Sequence, residues 1–153
     1  MKRLITIIAA ILFFIGCTKD EEGKIIWPTM SAEIDGVEWN SATRVSVLEE
    51  GKFIITGTSL DGKSLSITVL GTTEGLYQLN LTSAQVAAVY KESINMTTED
   101  AYVSVTGEVE LTDVNTSSKK VSGTFSFVVV RNLTNTINIT EGEFTNLTYT
   151  VTG

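Results

Sequence analysis

Two pairs of acidic residues have a spacing that places carboxylates side by side on one face of a strand. Glu108 lies two residues before Glu110, and Glu141 lies two residues before Glu143. Such neighbours on a strand are about 6.6 Å apart, and cleavage of a glycosidic bond needs two carboxylates at roughly 5–10 Å. The flanking residues alternate as on a solvent-facing strand, so a solvated strand face is the favoured interpretation. A carboxylate enzyme is the alternative.

The chain lacks the residues that other kinds of catalytic site need. The chain contains no histidine, which excludes Ser-His-Asp and Cys-His nucleophilic sites and imidazole-ligated zinc. No glycine-rich phosphate-binding loop is present, and Glu99-Asp100 lacks the surrounding acidic residues of a calcium loop. The sequence therefore predicts a protein that is not an enzyme and has no cofactor and no metal site.

Cys17 is the only cysteine, and it follows a hydrophobic leader. Lys2 and Arg3 supply positive charge, and residues 4–15 form an apolar run. This run is too short for a membrane-spanning helix, which needs about 20 residues, but it is typical of a signal peptide. We therefore predict a signal peptide over residues 1–16 and lipid attachment at Cys17. The alternative is ordinary signal cleavage nearby, which leaves a secreted domain.

The residues around this cysteine resemble two known targeting signals. Residues 15–17 resemble the bacterial lipobox, although Phe14 stands where that pattern usually has Leu. The next charged residues resemble the surface-export signal of Bacteroidota lipoproteins, namely Lys19, Asp20, Glu21 and Glu22. The resemblance implies a domain anchored in the bacterial outer membrane by acyl chains on Cys17 and exposed at the cell surface. The alternatives are a solvated acidic spacer and a domain on the periplasmic face.

The charge of the chain limits its partners. It carries 18 acidic and 11 basic side chains, for a net charge of −7, and loss of the leader lowers this to −9. A charge of this sign disfavours nucleic acid and is compatible with neutral or cationic partners. The acidic segment after Cys17 would not attract an anionic membrane surface, so attachment depends on the lipid.

Alternation of apolar and polar residues predicts strands along the rest of the chain. Turn signals at Asp35-Gly36, Glu50-Gly51 and Asp61-Gly62 separate the first of them. The predicted inward rows are Leu65, Ile67 and Val69, then Val103, Val105, Val109 and Leu111, then Val121, Phe125, Phe127 and Val129. Glycines at 107 and 123 fall on these rows and indicate close backbone approach or bulges.

Four details of the strand pattern have specific interpretations. The phase of alternation changes near Glu141-Gly142, which predicts a β-bulge or, alternatively, a turn. The segment 83–92 fits a short helix or a strand, with the strand slightly favoured. Trp39 is predicted to pack in the core, with a ligand-binding platform as the alternative, and Tyr102 is predicted on a solvent face, where it could stack on a sugar.

The resulting fold prediction is an all-β domain, either an antiparallel β-sandwich or a meandering barrel of about 8–9 strands. Residues 17–29 form a predicted acidic, flexible tether, and residues 30–153 form a single domain. Residues 30–42, 55–58, 121–127 and 139–147, in this order, resemble a family of small Bacteroidota lipoproteins of unknown function. The resemblance covers most of residues 30–149 and implies an all-β domain behind a lipobox, but it assigns no catalytic or ligand-binding residue.

The function predicted from these observations is that of a non-enzymatic surface lipoprotein. Its β-domain would bind a glycan, a peptide or a partner protein through sheet edges or the loops at 91–100 and 115–120, or serve a structural role in the envelope. The alternative is a lipocalin-like barrel that holds a small apolar ligand. The large side chains of Phe125 and Phe127 favour a filled core over such a cavity.

Overall fold

The computed structural model describes residues 27–153. Within this range the protein is all-β, and no helix there is long and apolar enough to cross a membrane. The strands are β1 (Thr29–Ile34), β2 (Val37–Asn40), β3 (Thr43–Glu49), β4 (Lys52–Thr58), β5 (Ser64–Val69), β6 (Gly75–Asn80), β7 (Ser83–Ala84), β8 (Val86–Lys91), β9 (Tyr102–Asn115), β10 (Lys120–Arg131), β11 (Asn135–Thr148) and β12 (Thr150–Thr152).

The predictions for the first part of the chain lie outside the described residues. They concern the signal peptide over residues 1–16, lipid attachment at Cys17, the surface-export signal and most of the tether over residues 17–29. The first strand begins at Thr29, one residue before the predicted start of the domain.

The strands form one curled sheet with the shape of a half-barrel. Their order is β12-β3-β4-β5-β8-β9-β10-β11-β1-β2, and β6 lies off this path, paired with β7 and β9. Every pairing within residues 27–153 is antiparallel except that of β12 with β3, which makes the sheet mixed. The prediction of an all-β sandwich or barrel is confirmed, with short strands such as β7 and β12 raising the number above 8–9.

The turn signals produce the predicted hairpins. Asp35 and Gly36 both have positive φ angles, 49° and 78°, and Glu50 and Gly51 have 50° and 78°. Two consecutive positive φ angles are typical of the two-residue turn that matches the twist of antiparallel strands. The third hairpin, around Gly62, has a longer connection over residues 59–63. This longer connection projects from the end of the sheet and forms one wall of the cleft described below.

The interior of the half-barrel is filled by side chains. Leu65, Ile67 and Val69 are fully buried, as their alternation predicts. The predicted row on β10 is also buried, and there Phe125 stacks on Phe144 with ring centroids 6.1 Å apart. Burial of this apolar surface is the main favourable contribution to folding. Within residues 27–153 these side chains occupy the inside of the half-barrel.

The prediction for β9 is correct at one end and wrong at the other. Val109 and Leu111 are buried as predicted. Val103 and Val105 are not inward, because each is 46% exposed. Tyr102 is not on the solvent face, because it is only 5% exposed.

A bulge in β9 explains this difference. Val128 of β10 pairs with Thr106, and the next residue, Val129, pairs with Ser104. Val105 is therefore an extra residue in β9. Because side chains alternate with a period of two, one extra residue moves all those before it to the opposite face. Alternation alone does not reveal such a bulge, since it depends on the partner strand.

The two glycines on the inward rows lie at the predicted close approaches. A Cβ atom at Gly107 would be 2.2 Å from Cδ1 of Phe127, and one at Gly123 would be 2.4 Å from the backbone oxygen of Glu110. Both distances are far below van der Waals contact, so no larger residue fits at either position without movement of its neighbours.

The bulge predicted near Glu141-Gly142 is confirmed. Phe125 pairs with Gly142, whereas Phe127 pairs with Ile139, so β11 contains one residue more than β10 over this interval. Glu141 has a φ angle of 50° at this point. The extra residue returns the apolar side chains on both sides of the bulge to the buried face.

The segment 83–92 is a strand, as the sequence slightly favoured. It forms β7 and β8, and β8 pairs with β5 so that Tyr90 lies opposite Leu65. Val86, Ala88 and Tyr90 alternate inward. This alternation places the Tyr90 side chain at the end of the half-barrel.

Candidate functional site

A cleft of about 450 Å³ opens at one end of the half-barrel. The β1–β2 hairpin lies on one side, and the β4–β5 connection lies on the other. The cleft is lined by Ile34, Asp35, Val37, Glu38, Trp39, Asn40, Ser59, Leu60, Asp61, Lys63, Tyr90, Glu92 and Ile137. Its size is within the range of roughly 300–1,000 Å³ that is typical of small-molecule sites.

Trp39 connects the two sides of the cleft. Its indole Nε1 donates a hydrogen bond to the backbone oxygen of Lys63, at 3.3 Å. The ring lies against β4 at Gly57, where a Cβ atom would be 2.9 Å from Cη2 of Trp39. The tryptophan is 4% exposed, which confirms the predicted core packing. These contacts fix the separation of the two walls and exclude the flat face of the indole from the solvent.

The buried residues that line the cleft are Trp39, Tyr90 and Ile137. Ile34, Trp39 and Ile137 contribute apolar surface there. Tyr90 also lines the cleft and is only 2% exposed. Among residues 27–153, its hydroxyl group has no hydrogen-bond partner in the protein. This hydroxyl group opens to the cleft, since Ser46 Oγ is the only buried side-chain polar atom of the described residues that has no partner.

The surroundings of Tyr90 disfavour ionisation of its hydroxyl group. Burial, and then the negative charges of Glu92 and Asp61, raise the pKa of Tyr90 to about 12, with smaller effects of Tyr102 and Asp35. At neutral pH the group therefore both donates and accepts hydrogen bonds. The carboxylates of Glu92, Asp61 and Asp35 add a smaller effect of negative charge to that of burial.

One side of the rim contains two carboxylates that are paired with cations. Asp61 is 3.2 Å from Nζ of Lys63 and accepts a hydrogen bond from Ser59 Oγ. The bonds from Ser59 and Lys63 lower the pKa of Asp61 from its usual value. Glu92 is 3.6 Å from Nη1 of Arg131. The two cations on this side are thus largely compensated.

The other side of the rim contains two carboxylates without a cation. Asp35 Oδ1 accepts a hydrogen bond from the backbone nitrogen of Asn138 at 2.7 Å, and Glu38 Oε1 accepts one from Nδ2 of Asn40 at 2.7 Å. Neither carboxylate is within 4 Å of a Lys or Arg nitrogen of the described chain. The β1–β2 side of the cleft therefore has an excess of negative charge.

Two exposed apolar side chains flank the opening of the cleft. Val37 on the hairpin is 65% exposed, and Leu60 on the opposite connection is 96% exposed. Large aliphatic side chains at the mouth of a cleft offer apolar surface to a bound molecule.

The two predicted carboxylate pairs meet on the outer face of the sheet. Glu108, Glu110, Glu141 and Glu143 line a shallow groove of about 240 Å³ across β9, β10 and β11. All four are exposed, as their alternation predicts. In the described part of the chain, no group of three or more His, Cys, Asp or Glu residues is placed to hold a metal ion. The groove brings together like charges in open solvent.

A third, smaller cavity of about 190 Å³ lies beside β3. Ser46 and Arg44 line it, and the Ser46 hydroxyl group is buried without a hydrogen-bond partner in residues 27–153. The Arg44 guanidinium donates to the backbone oxygen of Ser41 at 2.8 Å. The unpaired hydroxyl group is a local cost to stability.

Tyr102 does not offer the sugar-stacking surface that its predicted solvent face would allow. Its ring packs near Tyr90, with centroids 6.0 Å apart, and the guanidinium carbon of Arg131 lies 4.6 Å from its centroid. The arginine covers the ring through a cation–π contact. Tyr102 therefore supports the wall behind the cleft.

Sequence reasoning did not identify the cleft. Its residues come from four separate segments of the chain, within residues 34–40, 59–63, 90–92 and at 137, and no short motif joins them. The available signals were the exposed Leu60 beside the Asp61-Gly62 turn and the apolar face of the ambiguous segment that contains Tyr90. Cys17 and the surface-export signal at residues 19–22 lie outside the described residues.

Comparison with known proteins gives one match. The model of a domain of unknown function, DUF6252, matches residues 27–148, a range that includes β1 to β11 and every residue of the cleft. No curated protein and no solved structure matches the chain. The expected relation to a family of unknown function is confirmed.

Proposed function

We propose that this chain, which belongs to the DUF6252 family, is a non-enzymatic binding protein that holds a small ligand in the cleft at the end of its half-barrel. The observation that carries the proposal is the Tyr90 side chain, which is 2% exposed and presents to the open cleft a hydroxyl group without a protein partner in residues 27–153. A ligand can bond to this hydroxyl group while its apolar part packs against Ile34 and Ile137.

The composition of the cleft supports binding of a small molecule. Apolar walls give affinity through the hydrophobic effect, and a few fixed polar groups orient the ligand. Both are present, and Trp39 holds the walls at a fixed separation through its bond to Lys63. The ligand would lie at the end of the half-barrel, because large side chains such as Phe125 and Phe127 fill the interior.

A role without catalysis agrees with the chemistry of the cleft. No histidine occurs in the chain, and the cleft contains no serine or lysine that is free of other contacts, since Ser59 and Lys63 both bond to Asp61. The four exposed glutamates on the outer face lie in open solvent and lack the enclosed surroundings that acid catalysis requires.

The location of the protein is part of the same proposal. The domain is held in a bacterial outer membrane by lipid on Cys17, and residues 19–22 direct it to the cell surface, as expected for a lipoprotein of Bacteroidota. The hydrophobic leader, the single cysteine and the acidic residues that follow it support this location. A periplasmic orientation is the second candidate.

A binding experiment tests the cleft. The mature chain, residues 17–153 with Cys17→Ala, is titrated with 1-octanol while its backbone amides are followed by NMR. We expect saturable shifts at Val37, Leu60 and Tyr90. Two exposed leucines outside the cleft, Leu76 and Leu81, serve as controls. Equal shifts at the controls, or no shifts in the cleft, would contradict the proposal.

A further inference from the structure

The cleft combines an apolar interior with a rim of unbalanced charge. The lining residues include four carboxylates and one lysine. We propose that its ligand is a small amphipathic cation, a molecule with an apolar body and a protonated amine. This inference rests on the proposed function, because it specifies the ligand of the same cleft.

The charge on the hairpin side is the first observation that supports a cation. Asp35 and Glu38 bond only to uncharged donors, the Asn138 backbone and the Asn40 side chain. A protonated amine at this side would complete an ion pair that the described protein does not make. A carboxylate ligand would instead be repelled by both residues.

The cations near the cleft do not reverse this preference. Lys63 pairs with Asp61, and Arg131 pairs with Glu92. To bind an anionic ligand, either cation would have to leave its carboxylate. Arg131 also lies over the ring of Tyr102, which holds it in place.

The Tyr90 hydroxyl group is the second, independent observation. The Tyr90 residue is 2% exposed and lines the cleft, and no described residue hydrogen-bonds to its hydroxyl group. Its oxygen can accept a hydrogen bond from an ammonium group, and the nearby carboxylates of Glu92, Asp61 and Asp35 favour a cation beside it. An aromatic ring is also a favourable neighbour for an ammonium group.

The apolar part of the ligand has a defined place. Ile34 and Ile137 line the cleft, and the exposed side chains of Val37 and Leu60 flank its opening. Closing these side chains over an aliphatic body removes their apolar surface from water. The ligand would therefore have its amine near the hairpin and Tyr90, and its aliphatic body against these residues.

Three probes with the same aliphatic chain test the charge preference. Octylamine, 1-octanol and octanoate are each titrated at neutral pH and below their aggregation concentrations, by calorimetry and by the NMR experiment described above. We expect octylamine to bind about three- to tenfold more tightly than 1-octanol, and octanoate to bind most weakly. High salt should reduce the difference, since it screens exposed charges.

Two variants test whether the carboxylates on the hairpin side cause the preference for octylamine. Glu38→Gln should weaken octylamine binding about threefold and leave 1-octanol binding unchanged. Asp35→Asn should act in the same direction, and asparagine tolerates the positive φ angle of this turn residue and retains the acceptor oxygen. Glu143→Gln, on the outer face, is the matched control and should have no effect.

The outcomes separate the two proposals. If 1-octanol binds in the cleft but octylamine binds no more tightly, or octanoate binds best, the charge inference is wrong and the cleft remains a binding site. If none of the three probes shifts the cleft amides, the proposed function is wrong as well. Loss of 1-octanol binding in both Glu38→Gln and Asp35→Asn would also overturn the inference, since the carboxylates would then support the fold of the cleft.

Discussion

The ring of Phe53 on β4 packs edge to face against Tyr149, with ring centroids 5.1 Å apart and an interplanar angle of 77°. Tyr149 lies between β11 and β12, and its backbone nitrogen donates to the backbone oxygen of Lys119 at 2.9 Å. This pair thus joins the first half of the sheet to the end of the chain, beside the parallel pairing of β12 with β3.

Replacement of Tyr149 tests this closure. Tyr149→Ala should lower the free energy of unfolding by about 3–5 kcal/mol, because it removes a buried ring and leaves a cavity. Tyr149→Phe keeps the ring and should cost less than about 1.5 kcal/mol. Urea unfolding of both variants measures the difference. Equal stability of the two would show that the ring contact does not hold the ends of the sheet together.

The unpaired hydroxyl group of Ser46 predicts a stabilising substitution. Ser46→Ala removes a buried group without a partner and should raise the free energy of unfolding by about 1 kcal/mol. The matched control is Ser66→Ala on β5, where the serine Oγ lies 2.8 Å from Oγ1 of Thr56. That variant should lose about 1 kcal/mol. The prediction fails if both substitutions change stability in the same direction.

Tyr90 predicts a pH dependence of stability. The ordinary pKa of tyrosine is 10.0, and burial raises that of Tyr90 to about 12. Between these values the unfolded chain releases the proton while the folded protein keeps it, so stability is complete below about pH 10 and falls as the pH rises to about 12. Tyr90→Phe has no such proton and should show a shallower decline.

The free energy of unfolding, measured by urea denaturation at several values from about pH 9 to about pH 12, gives the slope of stability against pH. Ser46→Ala is a suitable control, since its lost hydroxyl group does not titrate there, and it should retain the wild-type slope. A wild-type slope in Tyr90→Phe would assign the alkaline loss of stability to other groups.

The location of the protein is tested by protease treatment of intact cells. If residues 19–22 direct the domain to the surface, the wild type is digested, and a variant with alanine at Lys19, Asp20, Glu21 and Glu22 is protected. Protection of both would place the domain on the periplasmic face. Metabolic labelling with a fatty-acid analogue should mark the wild type and fail to mark Cys17→Ala, and equal labelling of both would exclude Cys17 as the attachment site.

Local patterns predicted the elements whose geometry depends on neighbours in the chain. The Asp35-Gly36 turn follows from the backbone freedom of its two residues, and the buried row of Leu65, Ile67 and Val69 follows from alternation alone. The bulge at Glu141 could also be predicted, because the apolar residues on its two sides are out of phase within a single strand. In each case the physical cause lies within a few residues.

The bulge at Val105 could not be predicted, because the valines on both sides of it keep a regular alternation. Its position is decided by the register with β10, and as a consequence Tyr102 moves to the buried side, where it packs near Tyr90. The parallel pairing of β12 with β3 likewise joins segments about a hundred residues apart. Hydrophobic patterning records which face is buried but not which distant strand covers it.

The sequence by itself determined the all-β class, the main hairpins, the filled core and the absence of histidine chemistry. Only the tertiary structure decided that the hairpin after Ile34 and the connection after Thr58 face each other across a cleft with Tyr90 between them. The reason is that a cleft is formed by the curvature of the whole sheet. Its residues are brought together by pairings between distant strands, and such pairings leave no continuous motif in the chain.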